Sequence, residues 1–193
     1  MTDLDTIADA DADIAALVYA DGDRPDLVLC TFARHLAESG HRPCGLVQLR
    51  DRSEGDASRK VMVLDGWQVV DAANRHEGGD GDRCSLDSHW LDQMGAQTEA
   101  AVRHGVDVVI VNRFGPLEAN GRGFRDAIRA ASETKTPLVI AVPHFEFPRW
   151  TRFSSGMTVR LDCTLDSVLA WWRRIASSDP QAATSEQRVC ELK

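Results

Sequence analysis

The residues of this chain best suited to chemistry lie in one stretch. It reads Asn112-Arg-Phe-Gly-Pro-Leu-Glu118 and continues through Gly121-Arg-Gly-Phe-Arg125. Arg113, Arg122 and Arg125 fall within a short reach of one another. A guanidinium fork grips an oxyanion through two parallel hydrogen bonds. Gly121 and Gly123 allow successive backbone N–H groups to converge into a nest, and Gly115 admits a conformation that other residues resist. Asn112, Arg113, Gly115, Glu118, Gly121, Arg122, Gly123 and Arg125 therefore form a candidate anion site. Gln48, at an expected strand end on the same edge, joins them as a hydrogen-bonding group for a ligand or a tie for a loop. The structural alternative makes Arg122 and Arg125 solvated helix residues paired with Glu118 or Asp126. Glu118 reads better as an arginine partner, or as an acid near a helix start, than as a catalytic base.

The elements that must position this stretch follow from apolar spacing. Ile14 to Tyr19 is a short apolar run suited to a buried strand. Ala20 to Asp26 is a turn, with Pro25 placed to start a helix that runs on from Leu27 to Glu38 and ends at Gly40. Cys44 to Leu49 is the next strand, which makes a βαβ unit with parallel strands. Lys60 to Leu64 and Trp67 to Val70 are β-prone runs joined by Asp65-Gly66, a dipeptide suited to a two-residue hairpin turn. Leu86 to His104 is expected to be helical, Val106 to Val111 a strand, Ala119 to Thr134 a helix, Leu138 to Val142 a strand and Leu165 to Ile175 a helix. The segment His144 to Trp150 mixes aromatic and charged groups and suits core or interface packing better than a lid. Residues 1–12 read as a flexible acidic leader, 13–176 as a single α/β domain and 177–193 as a polar tail. Strands alternating with helices argue for a mostly parallel sheet covered on both faces, with ligands beyond the C-terminal strand ends.

Ile14 to Glu38 has the strand, turn and helix of a phosphate-binding loop, but not its chemistry. Such a loop needs a lysine for the outer phosphates and a Ser or Thr for magnesium. The chain has three lysines, Lys60, Lys135 and Lys193, and none falls in this segment. The turn carries Asp21, Asp23 and Asp26 against Arg24, so it repels phosphate and satisfies the helix dipole itself. After Val111, where an acidic residue would hold a magnesium-bound water, stands the uncharged Asn112. Arg113 follows where a second carboxylate would orient the attacking water.

Val108 to Phe124 resembles the Asp-Glu-Ile-Gly-x-Met-Glu motif of the thermophile-type nucleoside-triphosphatase family. Asn112 replaces its Asp and Arg113 its Glu, while Gly115 and Glu118 match. A closer resemblance is to the bacterial family called domain of unknown function 2478. It rests on Asn112-Arg-Phe-Gly-x-x-Glu118-x-x-Gly121-x-Gly123-Phe-Arg125, on the strand end Gly45 to Gln48 and on Cys84-x-Leu86-Asp87, and covers roughly residues 14–175. A cysteine frequent in that family near Lys60 to Met62 is missing here. The resemblance implies an α/β fold of P-loop-NTPase type, here with a β-hairpin insertion and degenerate nucleotide motifs. It also implies a link to molybdate transport, since the family's members are often encoded beside such genes.

Composition narrows the function classes. The 193 residues are 43% hydrophobic with a net charge of -8, which argues against a nucleic-acid footprint. No apolar run is long enough to span a bilayer, and the acidic N-terminus lacks the features of a secretory signal, so the expectation is a cytoplasmic protein. The five cysteines are spread without a C-x-x-C pair, which points to reduced thiols. Cys84, His76, His89 and Cys44 lack the tight ligand pairs of a zinc site, so no metal is expected. The favoured function is a non-hydrolysing, NTPase-like binding or regulatory module that senses a small oxyanion, molybdate or phosphate, or a protein partner, a second copy of the chain included. The alternatives are a divergent nucleoside-triphosphatase or phosphotransfer enzyme, and a pure interaction subunit.

Overall fold

Apolar runs become interior strands when helices cover both of their sides. The computed structural model describes residues 13–49, 60–71 and 88–178. In chain order these form β1 (Ile14–Tyr19), α1 (Pro25–Glu38), β2 (Pro43–Gln48), β3 (Lys60–Val63), β4 (Gln68–Asp71), α2 (Ser88–Arg103), β5 (Val108–Val111), α3 (Pro116–Ala119), α4 (Arg125–Thr134), β6 (Leu138–Pro143), a 3-10 turn (His144–Glu146), α5 (Phe147–Phe153), β7 (Val159–Asp162) and α6 (Leu165–Ser178). The strands make one sheet in the order β4-β3-β2-β5-β6-β1-β7. The five strands from β2 to β7 in that order are parallel, and β3 and β4 add an antiparallel margin.

Successive residues of β1 feed opposite cores, as the pleat requires. Ile14, Ala16 and Val18 pack with side chains of α2, α4 and α5. Ala15 and Leu17 pack with Leu29, Phe32 and Leu36 of α1 and with Trp171 and Trp172 of α6. The sheet is thus the middle of three layers, and its central strands have no polar face. That is why they read as continuous apolar runs rather than alternating ones.

Several expectations are corrected. The hairpin forms, but its turn has four residues, Leu64-Asp65-Gly66-Trp67, because Val63 pairs with Gln68. Leu64 is held elsewhere: its amide donates to the Gly45 carbonyl at 3.0 Å and its side chain is buried. Gly66 and Trp67 then both take left-handed φ values, 83° and 53°. The helix expected from Ala119 to Thr134 is broken between α3 and α4. Gly121 and Gly123 have φ of 87° and 59°, which a right-handed helix cannot contain. The break presses this segment onto α2, where a Cβ on Gly95 would run into the Gly123 carbonyl. Ser177 and Ser178 belong to α6 rather than to a tail. Residues 1–12, 179–193 and the Cys84-x-Leu86-Asp87 motif lie outside the described residues.

Two elements, α5 and β7, were not anticipated. In β7, Val159 and Leu161 are buried while Arg160 and Asp162 face out, the alternation of an edge strand. In α5, Trp150 is fully buried, so core packing is the role of this part of the His144–Trp150 segment.

The closest backbone approach inside the sheet is between β2 and β5. Gly45 has φ of 113°, and a Cβ there would collide with the carbonyl oxygen of Ile110. Gly45→Ala should therefore destabilise the fold by about 3 kcal/mol, as substitutions that force backbone apart do. Urea unfolding followed by circular dichroism measures this, and an unchanged midpoint would contradict the approach described.

Candidate functional site

In a parallel sheet the strand ends gape where adjacent strands send their connections to opposite faces. Here that happens between β1 and β6. The chain leaves β1 into α1 on one face and leaves β6 into α5 on the other. Tyr19 and Pro143 are partners at the top of the two strands, so Ala20 to Arg24 and His144 to Glu146 flank the crevice. The segment after β5 emerges one strand away.

The turn after β1 is closed on its own carboxylates. The Ala20 amide donates to Asp23 Oδ2 at 2.8 Å. Arg24 donates from Nε and Nη2 to the two oxygens of Asp26, at 3.1 and 2.9 Å, and Asp26 is buried. Cys163, just past β7, sits beside this turn. Burial, together with the nearby charges of Asp23 and Asp26, pushes its thiol up to about 11, opposed by a hydrogen bond from the Arg24 amide. It is a protonated, unreactive group at neutral pH. Carboxylates occupy the donors that a phosphate would need.

The segment after β5 alternates between solvent and core. Arg113 is exposed and forms no ion pair with any described residue. Phe114 is fully buried; its amide donates to the Ala141 carbonyl of β6 at 2.8 Å, and its ring meets Trp150 edge-on with centroids 5.1 Å apart and lies 5.3 Å from Phe153. Asn112, between them and the strand, has a buried Oδ1 with no hydrogen-bond partner among the described residues.

Glu118 folds the rest of the segment around itself. Its Oε2 accepts from the Gly115 amide at 3.0 Å and its Oε1 from the Phe124 amide at 3.4 Å. Gly123 passes so close that a Cβ there would lie 2.5 Å from Oε1. Burial raises the pKa of this carboxyl above its ordinary value, against the lowering effect of the amides it accepts from, and the Asp92 charge adds to the rise. Glu118 is thus an acid near a helix start that braces backbone, and it pairs with no arginine among the described residues.

Arg122 pairs with neither Glu118 nor Asp126. It donates from Nε and Nη2 to Asp92 Oδ2 on α2, at 3.2 and 2.6 Å, and Asp92 Oδ1 accepts the Gly123 amide at 2.7 Å. The Gly123 amide and then Arg122 hold the Asp92 carboxyl below the usual range. Of the successive amides expected to converge into a nest, those of Gly121 and Arg122 donate to the Glu118 and Leu117 carbonyls, and the Gly123 amide donates to Asp92. Arg125 is exposed and lies back over Gly121, where a Cβ would sit 2.9 Å from its Nη1. Gln48 ends β2, half-buried and opposite Val61. Asp92 itself was not legible as a site residue, because its partners lie about thirty positions downstream and leave no local pattern. Among the described residues no group of three His, Cys, Asp or Glu could hold a metal ion, and no helix is long and apolar enough to cross a membrane.

Fold and strand-end geometry define an α/β domain of P-loop-NTPase type. Residues 14–171 match the family described as protein of unknown function (DUF2478), and the chain belongs to that family. It is also similar to molybdenum import ATP-binding protein ModC 2 of Bradyrhizobium diazoefficiens, 31% identical over 171 residues, or 85% of this chain and 18% of that protein. Nucleoside-triphosphatase THEP1 of Methanopyrus kandleri is 27% identical over 122 residues, 59% of this chain and 64% of that protein. The chain thus spans about a fifth of the first relative's length and just under two thirds of the second's. No solved structure matches it.

Because its folded pKa is raised from 4.5, Glu118 contributes most to stability below its unfolded pKa. That contribution is lost as pH rises through the raised value. Glu118→Gln removes the titration along with one amide contact. The wild-type advantage over Glu118→Gln should therefore shrink as the pH rises above the ordinary carboxyl value of 4.5, read as the difference in melting temperature. A difference that widened with pH would contradict the burial effect.

Proposed function

We propose that this domain is a binding or regulatory module that takes up a small oxyanion, phosphate or molybdate, on an NTPase-like scaffold without hydrolysing a nucleotide. The observation that carries this reading is the end of β5. An uncharged Asn112 and an exposed Arg113 that forms no ion pair among the described residues stand there, where nucleotide hydrolysis calls for two carboxylates. The turn after β1 supports it, since its donors are already taken by Asp23 and Asp26. Of the three arginines, Arg113 is the one best placed to receive a ligand, because Arg122 is held by Asp92. Molybdate is supported by the similarity to the Bradyrhizobium molybdenum import ATP-binding protein. An oxyanion-dependent contact with a protein partner would make the module regulatory. The similarity to a nucleoside-triphosphatase favours a second reading, a divergent NTPase or phosphotransfer enzyme.

The two readings separate in one assay. The purified protein should show no magnesium-dependent ATP or GTP hydrolysis above background. Turnover near ~1 s⁻¹, ordinary for an enzyme, that disappeared with Arg113→Ala would establish the second reading instead.

A ligand that binds only the folded state raises apparent stability. Arg113→Ala should abolish the upward shift in melting temperature caused by phosphate or molybdate and leave the unliganded melting temperature nearly unchanged. Charge-assisted hydrogen bonds to an anion contribute roughly 1.5–3 kcal/mol each, so the loss is large enough to read. A variant destabilised without any anion present would assign Arg113 to the fold rather than to a ligand.

A further inference from the structure

The sheet has two margins, and they differ in charge. β4 and β7 stand at the two ends of the strand order. Among the described residues each pairs with one neighbour, β3 and β1 respectively. A margin strand presents backbone N–H and C=O groups to any strand that comes alongside, and charged side chains on it usually keep such strands away. The exposed residues of β4 are Gln68, Val69 and Asp71, so its charge is of one sign. Those of β7 are Arg160 and Asp162, opposite in sign and two residues apart.

Successive strand residues alternate between faces, so Arg160 and Asp162 share one face of the sheet. It is the face of α5, since the Arg160 guanidinium lies over the Phe147 ring, 5.2 Å from its centroid. Among the described residues neither charge forms an ion pair. Val159 and Leu161 point the other way, into the core against α1 and α6.

We infer that the β7 edge is an interface for a second copy of this chain, in which two β7 strands pair antiparallel about Leu161 and each Arg160 faces Asp162 of the other copy. The inference is independent of the oxyanion reading. In an antiparallel pair related by a two-fold axis, residues equally far either side of the centre face each other on the same side of the sheet. A pair centred on Arg160 or on Asp162 sets like charges against each other. A pair centred on Leu161 sets Arg160 against Asp162 twice. The same two side chains thus oppose the neighbouring registers and favour one, and two seven-stranded sheets become continuous. Cross-strand charge pairs are individually modest, and a four-residue edge is small beside the ~1,600 Å² of a standard interface. The dimer is therefore weak and concentration-dependent, and its charges set register and partner more than affinity.

The test is sedimentation velocity of the full chain over a range of concentrations, with circular-dichroism melts of every variant. The wild type should pass from monomer to dimer as concentration rises, and less readily at high salt. Arg160→Asp leaves two acids on the edge and Asp162→Arg leaves two arginines. Each alone should weaken self-association at least about tenfold, because two-fold symmetry counts every changed pair twice. An equal mixture of the two variants should dimerise again, since every acid of one then faces an arginine of the other. The double variant R160D/D162R should dimerise like the wild type. Rescue by mixing separates lost pairing from misfolding, which a second misfolded chain does not repair. A wild type that stays monomeric at the highest soluble concentration would overturn the inference. So would a dimer that neither reversal weakens, or single variants that stay apart when mixed.

Discussion

A carboxylate taken out of water must be answered by donors, and the geometry of this strand-end edge depends on how Glu118 is answered. Among the described residues it has no counter-ion in contact; its partners are the amides of Gly115 and Phe124. Two backbone points nine positions apart in sequence are thereby tied to one side chain. Between them the chain must leave the helical path, and the left-handed Gly121 and Gly123 supply the departure. The same departure delivers the Gly123 amide and the Arg122 guanidinium to Asp92 on α2. The brace and the Asp92 contacts together set the shape of the link between β5 and α4.

Two places that could cradle an external anion are thus furnished with an internal one. Asp23 fills the turn after β1, and Asp92 takes up the Gly123 amide before α4. Each carboxylate satisfies backbone donors that would otherwise need a phosphate or water. Self-liganding of this kind stabilises the unoccupied protein and at the same time narrows the places where a ligand can act. Among the described residues, Arg113 forms no ion pair and Asn112 Oδ1 accepts no hydrogen bond, so this part of the edge is not closed on itself.

Much of the architecture was legible because interior parallel strands advertise themselves as unbroken apolar runs, as in Ile14 to Tyr19 and Leu138 to Val142. Pro25 marked the start of α1 and Asp65-Gly66 the hairpin, since both residue pairs constrain φ locally. What escaped was set by distant partners. Leu64 reads as part of a strand, but its amide is claimed by Gly45, which lengthens the turn. Ala119 to Thr134 is largely helix formers, and the break falls where Gly121 and Gly123 take left-handed φ beside the Glu118 carboxylate. The strand β7 has only four residues, too few for its alternation to stand out. Around the candidate site, residue types and spacing marked the segment from Asn112 to Arg125. They could not reveal that Asp92, a helix away, commits one of its three arginines.

The opposed settings of two neighbouring residues have a structural corollary. Arg113 faces solvent while Phe114 is wedged against Trp150 and Phe153 of α5, and the peptide between them is short and stiff. The exposed Arg113 is therefore one residue away from an aromatic cluster built on α5. Trp150 is also hydrogen-bonded to Thr158 at the threshold of β7. The chain of contacts thus ends at the opposite margin of the sheet from the hairpin, and the tip of β5 is joined to that margin by rings rather than by charges.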